Sequence, residues 1–298
     1  MRVAVTGSGG LIGSALVASL RQDGHDVVRL VRRPPRDPDE VQWNPDTGGV
    51  DLDGLAGVEG AVHLAGAGVG DHRWTDAYKR RIRDSRVLGT RTLVRALGSL
   101  DPVPRVLVSG SAVGAYGDRG DETLTEESGY GDTFLAGVVR AWEAEAATAE
   151  DAGIRTALPR TGIVLARSGG MLGRLMPFLR LGLAGPLGTG RHWWSWVTLP
   201  DTVAALRFML DNDVRGPANL TAPAPARQID VVRAIAREAH RPAIAPAPKF
   251  ALRVYLGEFA NDITSSQRAL PNVLSTAGFT FRHSRLDDAA AWAVGRGA

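Results

Sequence analysis

The 298-residue sequence contains no cysteine, which excludes disulfides, thiolate nucleophiles and cysteine zinc ligands together. Such a chain needs no oxidising compartment. It also lacks any run of 18 apolar residues, and it begins with the strand-like Arg2-Val3-Ala4-Val5-Thr6 rather than the basic and apolar regions of a signal peptide. A cytoplasmic location is therefore expected, with no membrane among the partners. Arginines are dispersed rather than gathered in basic runs, so nucleic acid is not an expected partner despite a net charge of +3 and a pI near 9.7. The six histidines, His25, His63, His72, His192, His240 and His283, lack the i,i+4 spacing of metal ligands, and no metal is expected. No Gly-x-Ser-x-Gly elbow surrounds the serines of Val108-Ser109-Gly110-Ser111-Ala112, which argues against a serine hydrolase. No internal repeat is present.

What is there is an ordinary globular composition, 44% hydrophobic and 22% charged, in a chain long enough to bury a full α/β core. Short β-rich runs at Arg2 to Thr6, Val27 to Val31, Ala61 to Ala65, Arg105 to Ser109 and Ile154 to Leu158 alternate with helical patterns. That alternation predicts a doubly wound parallel sheet of the Rossmann type, with ligand sites beyond the carboxyl ends of its strands. After Arg167 the chain becomes Gly- and Pro-punctuated, then offers a helix near Pro200 to Leu210, a strand near Ala218 to Thr221 and a helix from Ile229 to Ala239. The expected division is a Rossmann domain over 1–166, rejoined by about 197–222, and a smaller substrate lobe over 167–298 with an α-rich C-terminus. A homodimer is expected on base rates alone.

The strongest local signal is Thr6-Gly7-Ser8-Gly9-Gly10-Leu11-Ile12-Gly13, set between a strand and a helix. Gly7 permits a tight turn, Gly10, with Leu11 and Ile12 beside it, brings backbone N–H groups to a pyrophosphate, and Gly13 lets helix and strand pack closely. The acidic residue that would bind the ribose 2′-hydroxyl of NAD is missing at the end of the second strand. Arg32 and Arg33 stand there, which favours the 2′-phosphate of NADP(H); the competing reading is two arginines that merely solvate a strand end. Leu64, Ala65 and Gly66 close a later strand with small residues fit to pass near the cofactor. His63, just before them, reads first as a packed core histidine.

These residues, with Arg73-Trp74-Thr75, Ile82-Arg83-Asp84-Ser85-Arg86, Ser109 to Gly117 and Arg160 to Leu165, resemble the extended short-chain dehydrogenase/reductases of the NAD-dependent epimerase/dehydratase superfamily. Leu256 to Ala260, Gln267 to Pro271 and Ala277-Gly278-Phe279 are similar to the small C-terminal domain of its epimerase-like group. The resemblance implies a Rossmann domain holding NADP(H) and a hydroxyl at Ser111 near the nicotinamide. It also exposes a departure. The superfamily's Tyr-x-x-x-Lys pair, whose ammonium lowers the phenol pKa for proton transfer, is replaced by Phe134 or Leu135 and by Val138 or Val139.

Tyr116 is the substitute phenol to weigh, against simple packing. Lys79 is a further cation, against a solvated helix charge, and Arg86 is a possible contact to cofactor phosphates, against a surface ion pair. Trp193-Trp194-Ser195-Trp196 either lines an apolar pocket or packs the lobe. Asp201 reads as a charge at a helix N-terminus, and Arg174, Arg180 and Arg191 are candidates for a second phosphate site. Two functions remain open: an NADP(H)-dependent oxidoreductase or epimerase-like enzyme acting on a carbonyl or hydroxyl small molecule, with a sugar nucleotide among the candidates, and a non-catalytic NADP(H)-binding regulatory protein.

Overall fold

Successive side chains of a strand point to opposite faces, and β1 (Arg2–Thr6) is buried on both, as a central parallel strand requires. The computed structural model describes residues 1–295. From β1 the chain passes through α1 (Leu11–Gln22), β2 (Asp26–Val31), β3 (Glu40–Asn44), β4 (Gly49–Val50) and β5 (Gly60–His63). Then come α2 (Asp76–Gly98), β6 (Val106–Ser109), β7 (Ser111–Ala112), β8 (Thr123–Leu124), α3 (Phe134–Ala147) and β9 (Arg155–Thr161). The middle of the chain holds β10 (Ile163–Leu165), α4 (Gly170–Arg180), β11 (Trp193–Trp194), β12 (Trp196–Thr198), α5 (Leu199–Asp211) and β13 (Gly216–Leu220). It finishes with β14 (Ala226–Arg227), α6 (Gln228–Glu238), α7 (Lys249–Leu256), α8 (Phe259–Ile263), β15 (Arg268–Ala269), α9 (Asn272–Thr276) and α10 (Leu286–Val294).

The main sheet runs β13-β9-β6-β5-β1-β2-β3-β4, parallel throughout except for the β3–β4 pair. Strand order reverses direction at β1, between β2 on one side and β5 on the other, which opens a crevice at the carboxyl ends there. One face buries Val3, Val5, Val62 and Val108 against Leu16 and Leu20 of α1 and Leu206 and Met209 of α5. The other packs Ala4, Leu30, Ala61 and Leu107 against Leu93 and Leu97 of α2. A separate apolar cluster, with Trp194, Trp196, Val231, Ile235 and Ala290, forms the core of the later segments.

The five expected strands are present within a few residues. The fifth runs on from Leu158 to Thr161 through Pro159, which lacks a backbone N–H. Pro159 falls where the neighbouring ladder is broken: β6 pairs as far as Ala157 and β7 resumes at Arg160. The expected late helix and strand return as α5 and β13, and β13 pairs in parallel with β9. No helix among the described residues is long and apolar enough to cross a membrane.

Candidate functional site

The glycine-rich loop is built so that side chains are excluded. Gly7 has φ +66°, and a Cβ there would lie 2.7 Å from the Leu64 carbonyl carbon and 2.9 Å from the Ala65 nitrogen. A Cβ on Gly13 would lie 2.2 Å from the Gly7 carbonyl oxygen. The Gly10 N–H donates to that oxygen at 2.9 Å, and Gly10 caps α1 with no side chain to satisfy the first-turn N–H groups of Leu11, Ile12 and Gly13. The result is a bare, positive helix end against the Leu64-Ala65-Gly66 turn. Sequence reasoning passed over a third wall. Leu11 reaches across to Gly169 and Gly170, both at positive φ, so the turn opening α4 closes on the glycine loop.

Beneath this turn, Thr6 ties β1 to β5. Its hydroxyl oxygen accepts the Leu64 and Ala65 N–H groups at 3.1 and 3.2 Å and sits 2.7 Å from His63 Nδ1. An oxygen already accepting twice donates its proton to Nδ1, which places the imidazole proton on Nε2. Complete burial pushes the His63 pKa down to about 3, keeping the ring neutral against the edge of Trp43, in keeping with its reading as a core residue.

The two arginines after β2 are not equivalent. Arg33 makes a bidentate pair with Glu40 of β3, at 2.7 and 2.6 Å. Arg32 is exposed and makes no ion pair with any described residue, so its guanidinium is available to a ligand. Arg86 lies behind Gly66. Its Nη1 donates to the carbonyls of Ala67 and Ile82 at 2.9 and 3.1 Å, and its guanidinium covers the Trp142 ring at 5.3 Å. Burial away from any carboxylate lowers its pKa to about 10. With Ser85, whose hydroxyl accepts the Ala67 N–H at 3.0 Å, Arg86 fixes the course of the Gly66-Ala67 backbone.

Ser111 and Tyr116 both turn into the protein. Ser111 is 5% exposed and donates to Glu143 Oε1 at 2.5 Å. Arg160 pairs with both oxygens of Glu143, at 2.9 and 2.8 Å, and donates to the Tyr116 hydroxyl at 3.1 Å. Tyr116, fully buried, donates in turn to Asn219 Oδ1 of β13 at 2.7 Å, and burial raises its pKa. Tyr130 donates to the remaining side of Glu143 at 2.5 Å. The sequence reading singled out the first and fourth members of this chain and missed Glu143 and Arg160. A charged residue among Val138, Val139, Trp142 and Ala146 on the buried face of α3 was the signal for Glu143.

The superfamily's Tyr and Lys positions fall on the N-terminal half of α3. Val138 and Val139 are buried, while Phe134 and Leu135 pack beside Trp74, Tyr78 and Ile82. Lys79 pairs with Glu258 at 2.5 Å and lies 5.4 Å from the Phe134 ring, joining α2 to the C-terminal segment. Trp194 and Trp196 are core residues of the lobe. Trp193 is flanked by Arg227 and Arg268 at 4.1 and 4.6 Å and donates to Asp121. Asp201 is buried, accepting N–H groups from Arg282 and His283 at 2.7 and 3.1 Å, a structural post at the start of α5. Arg174 bonds Gly70 and Asp71. Arg191 lends its carbonyl to Arg227, and Arg180 ends α4. No cluster of three or more potential metal ligands occurs among the described residues.

Residues 3–221 match the model of the NAD dependent epimerase/dehydratase family, and residues 247–293 match a domain of unknown function. An epimerase family protein of Mycobacterium bovis is 40% identical over 296 residues, covering 99% of this chain and 98% of its own length. The crystal structure of human epimerase family protein SDR39U1 (isoform 2) with NADPH superposes with a TM-score of 0.90 at 28% identity, covering 99% of each chain. A nucleoside-diphosphate sugar epimerase from Corynebacterium glutamicum is 37% identical with a TM-score of 0.82, over 100% of this chain and 59% of the other. Sheet order, glycine loop and end-to-end similarity agree, and the chain belongs to the NAD dependent epimerase/dehydratase family.

Proposed function

We propose that this protein binds NADP(H) in the crevice above β1 and β5 and acts as an oxidoreductase or epimerase-like enzyme on a small carbonyl or hydroxyl compound. The observation that carries the reading is the glycine turn, packed so closely that Cβ atoms at Gly7 and Gly13 would strike backbone, which sets the uncapped end of α1 against the Leu64-Ala65-Gly66 turn, with unpaired Arg32 at the adenosine side. Leu11 and Ile12 offer N–H groups to the pyrophosphate, Leu64 to Gly66 form the opposite wall, and Arg32 meets the 2′-phosphate. Arg33, locked to Glu40, and Arg86, locked behind Gly66, hold the walls in place. The human relative solved with NADPH supports the same choice of nucleotide. Bound, the nicotinamide supplies hydride transfer. Substrate is assigned to the lobe formed by residues 167–298 over the Rossmann portion 1–166. Calorimetric titration tests the cofactor: NADPH is expected to bind at least tenfold more tightly than NADH, a preference lost in Arg32→Ala. Equal affinity for both nucleotides in the wild type refutes it.

One observation favours a non-catalytic NADP(H)-binding protein as the second reading: the hydroxyls of Ser111 and Tyr116 are committed to Glu143 and Asn219. NADPH oxidation against a panel of carbonyl compounds separates the two. Turnover that falls at least tenfold in Ser111→Ala supports the enzyme with Ser111 as its polarising hydroxyl. Cofactor binding without turnover supports the regulatory protein.

A further inference from the structure

Helix α7 is apolar on the wrong side. Its half-buried Leu252 and Leu256 turn toward the protein, whereas Phe250 and Val254, each about 160° around the axis from Leu252 at 100° per residue, are 74% and 72% exposed. Tyr255, on the flank of the helix between these two faces, is 81% exposed. The preceding segment carries Ile244 and runs alongside the chain that follows α4, through hydrogen bonds from Ala245 to Ala184, Ala247 to Pro186 and Gly188 to Ala247 at 3.1, 2.9 and 2.8 Å. The end of α4 presents Phe178, and the stretch after it Leu181 and Leu183, which are 72% and 58% exposed. Exposed apolar residues gathered on paired segments mark an interaction surface.

The charges around this surface are predominantly positive. Arg180, Arg241, Lys249 and Arg253 are exposed, and none forms an ion pair with a described residue. The sequence has no acidic residue from 152 to 200 or from 239 to 257. At the borders, Glu238 stands near Arg180 and Arg241 and contacts Arg237, while Glu258 is taken by Lys79. A two-fold contact between copies would bring these cations face to face, and side chains more than 70% exposed are not the walls of a peptide groove.

From this pattern we propose that the α4–α7 face docks on the surface of a bilayer containing anionic lipid, its apolar side chains entering the headgroup layer and its four cations meeting lipid charge. The expectation of no membrane partner rested on the lack of a spanning run, which peripheral docking does not need.

The test is sedimentation of the full chain with vesicles of phosphatidylcholine alone or mixed with phosphatidylglycerol. Binding is expected to be at least about tenfold stronger to the mixed vesicles and to weaken with salt. It should fall at least about tenfold in Lys249→Glu/Arg253→Glu and in Phe250→Ser/Val254→Ser, both unfolding at the wild-type temperature. The charge-reversal pair leaves the apolar residues untouched and guards against a folding defect in the other. Binding to neither vesicle, equal binding to both, or binding unchanged in both variants overturns the proposal. So does light scattering that shows self-association abolished by Phe250→Ser/Val254→Ser without vesicle binding.

Discussion

Glu143 and Arg160 have side chains only 3% exposed, and each needs the other: an isolated charge in that position faces the desolvation penalty with no compensation. Arg160 also lies over the rings of Tyr116 and Tyr130 at 5.0 Å each, so one guanidinium organises three partners. Replacing Glu143 by Gln is expected to cost about 3–5 kcal/mol of stability, the range for breaking a buried pair from one side. Urea denaturation measures it, and a cost near zero would mean that the network is slack and Ser111 is free to turn outward. These contacts join residues 17, 32 and 103 positions apart, which is why a family resemblance pointing to Ser111 and a nearby phenol at Tyr116 did not bring in the pair between them. The glycine loop was legible because its chemistry is contiguous: Gly7, Gly10 and Gly13 restrict one another within two turns of chain.

Among the elements, the central strands announced themselves through apolar runs, while β3 and β4 were missed. They follow the proline-broken stretch from Pro34 to Pro38, and in β3 Glu40 and Gln42 interrupt the apolar signal that Val41 and Trp43 would give. What holds this edge is charge as much as burial. Arg33 and the Arg36 N–H bond Glu40, and Arg29 of β2 bonds Asp39 at 2.6 Å. These contacts hold the Glu40 carboxyl down at about 2, against an ordinary value of 4.5, and lower Asp39 as well. A carboxyl depressed in the folded state stays ionised while the unfolded chain takes up its proton, so stability is full above about pH 4.5 and drains as pH falls toward 2. Thermal melts across that window should show a shallower loss in Glu40→Gln than in the wild type. An identical slope would show that the β2–β3 edge does not depend on this ionisation. Helix α3 teaches the converse, because its missing Tyr and Lys could be seen in sequence but the apolar wall replacing them, with Phe134 against Trp74 at 5.2 Å, required the packing of α2 beside it.

At the scale of the whole molecule, the chain leaves its sheet after β9 and returns to it at β13, with α5 laid against α1 on the way back. The excursion was readable as an interruption by glycine and proline, but its lobe core was not, since Trp194, Val231 and Ala290 come together only in three dimensions. The late return also has a consequence for how the protein is made. Until Leu220 leaves the ribosome, β9 presents an unpaired edge on the side that β13 will take. With Thr161 at the end of β9 and Leu220 at the end of β13, 59 residues separate the two, which at roughly 5–20 residues per second is a delay of about 3–12 s. A nascent chain of this protein passes that interval with a sticky border exposed, and its yield will follow the speed of translation and the supply of chaperones through this one stretch of message.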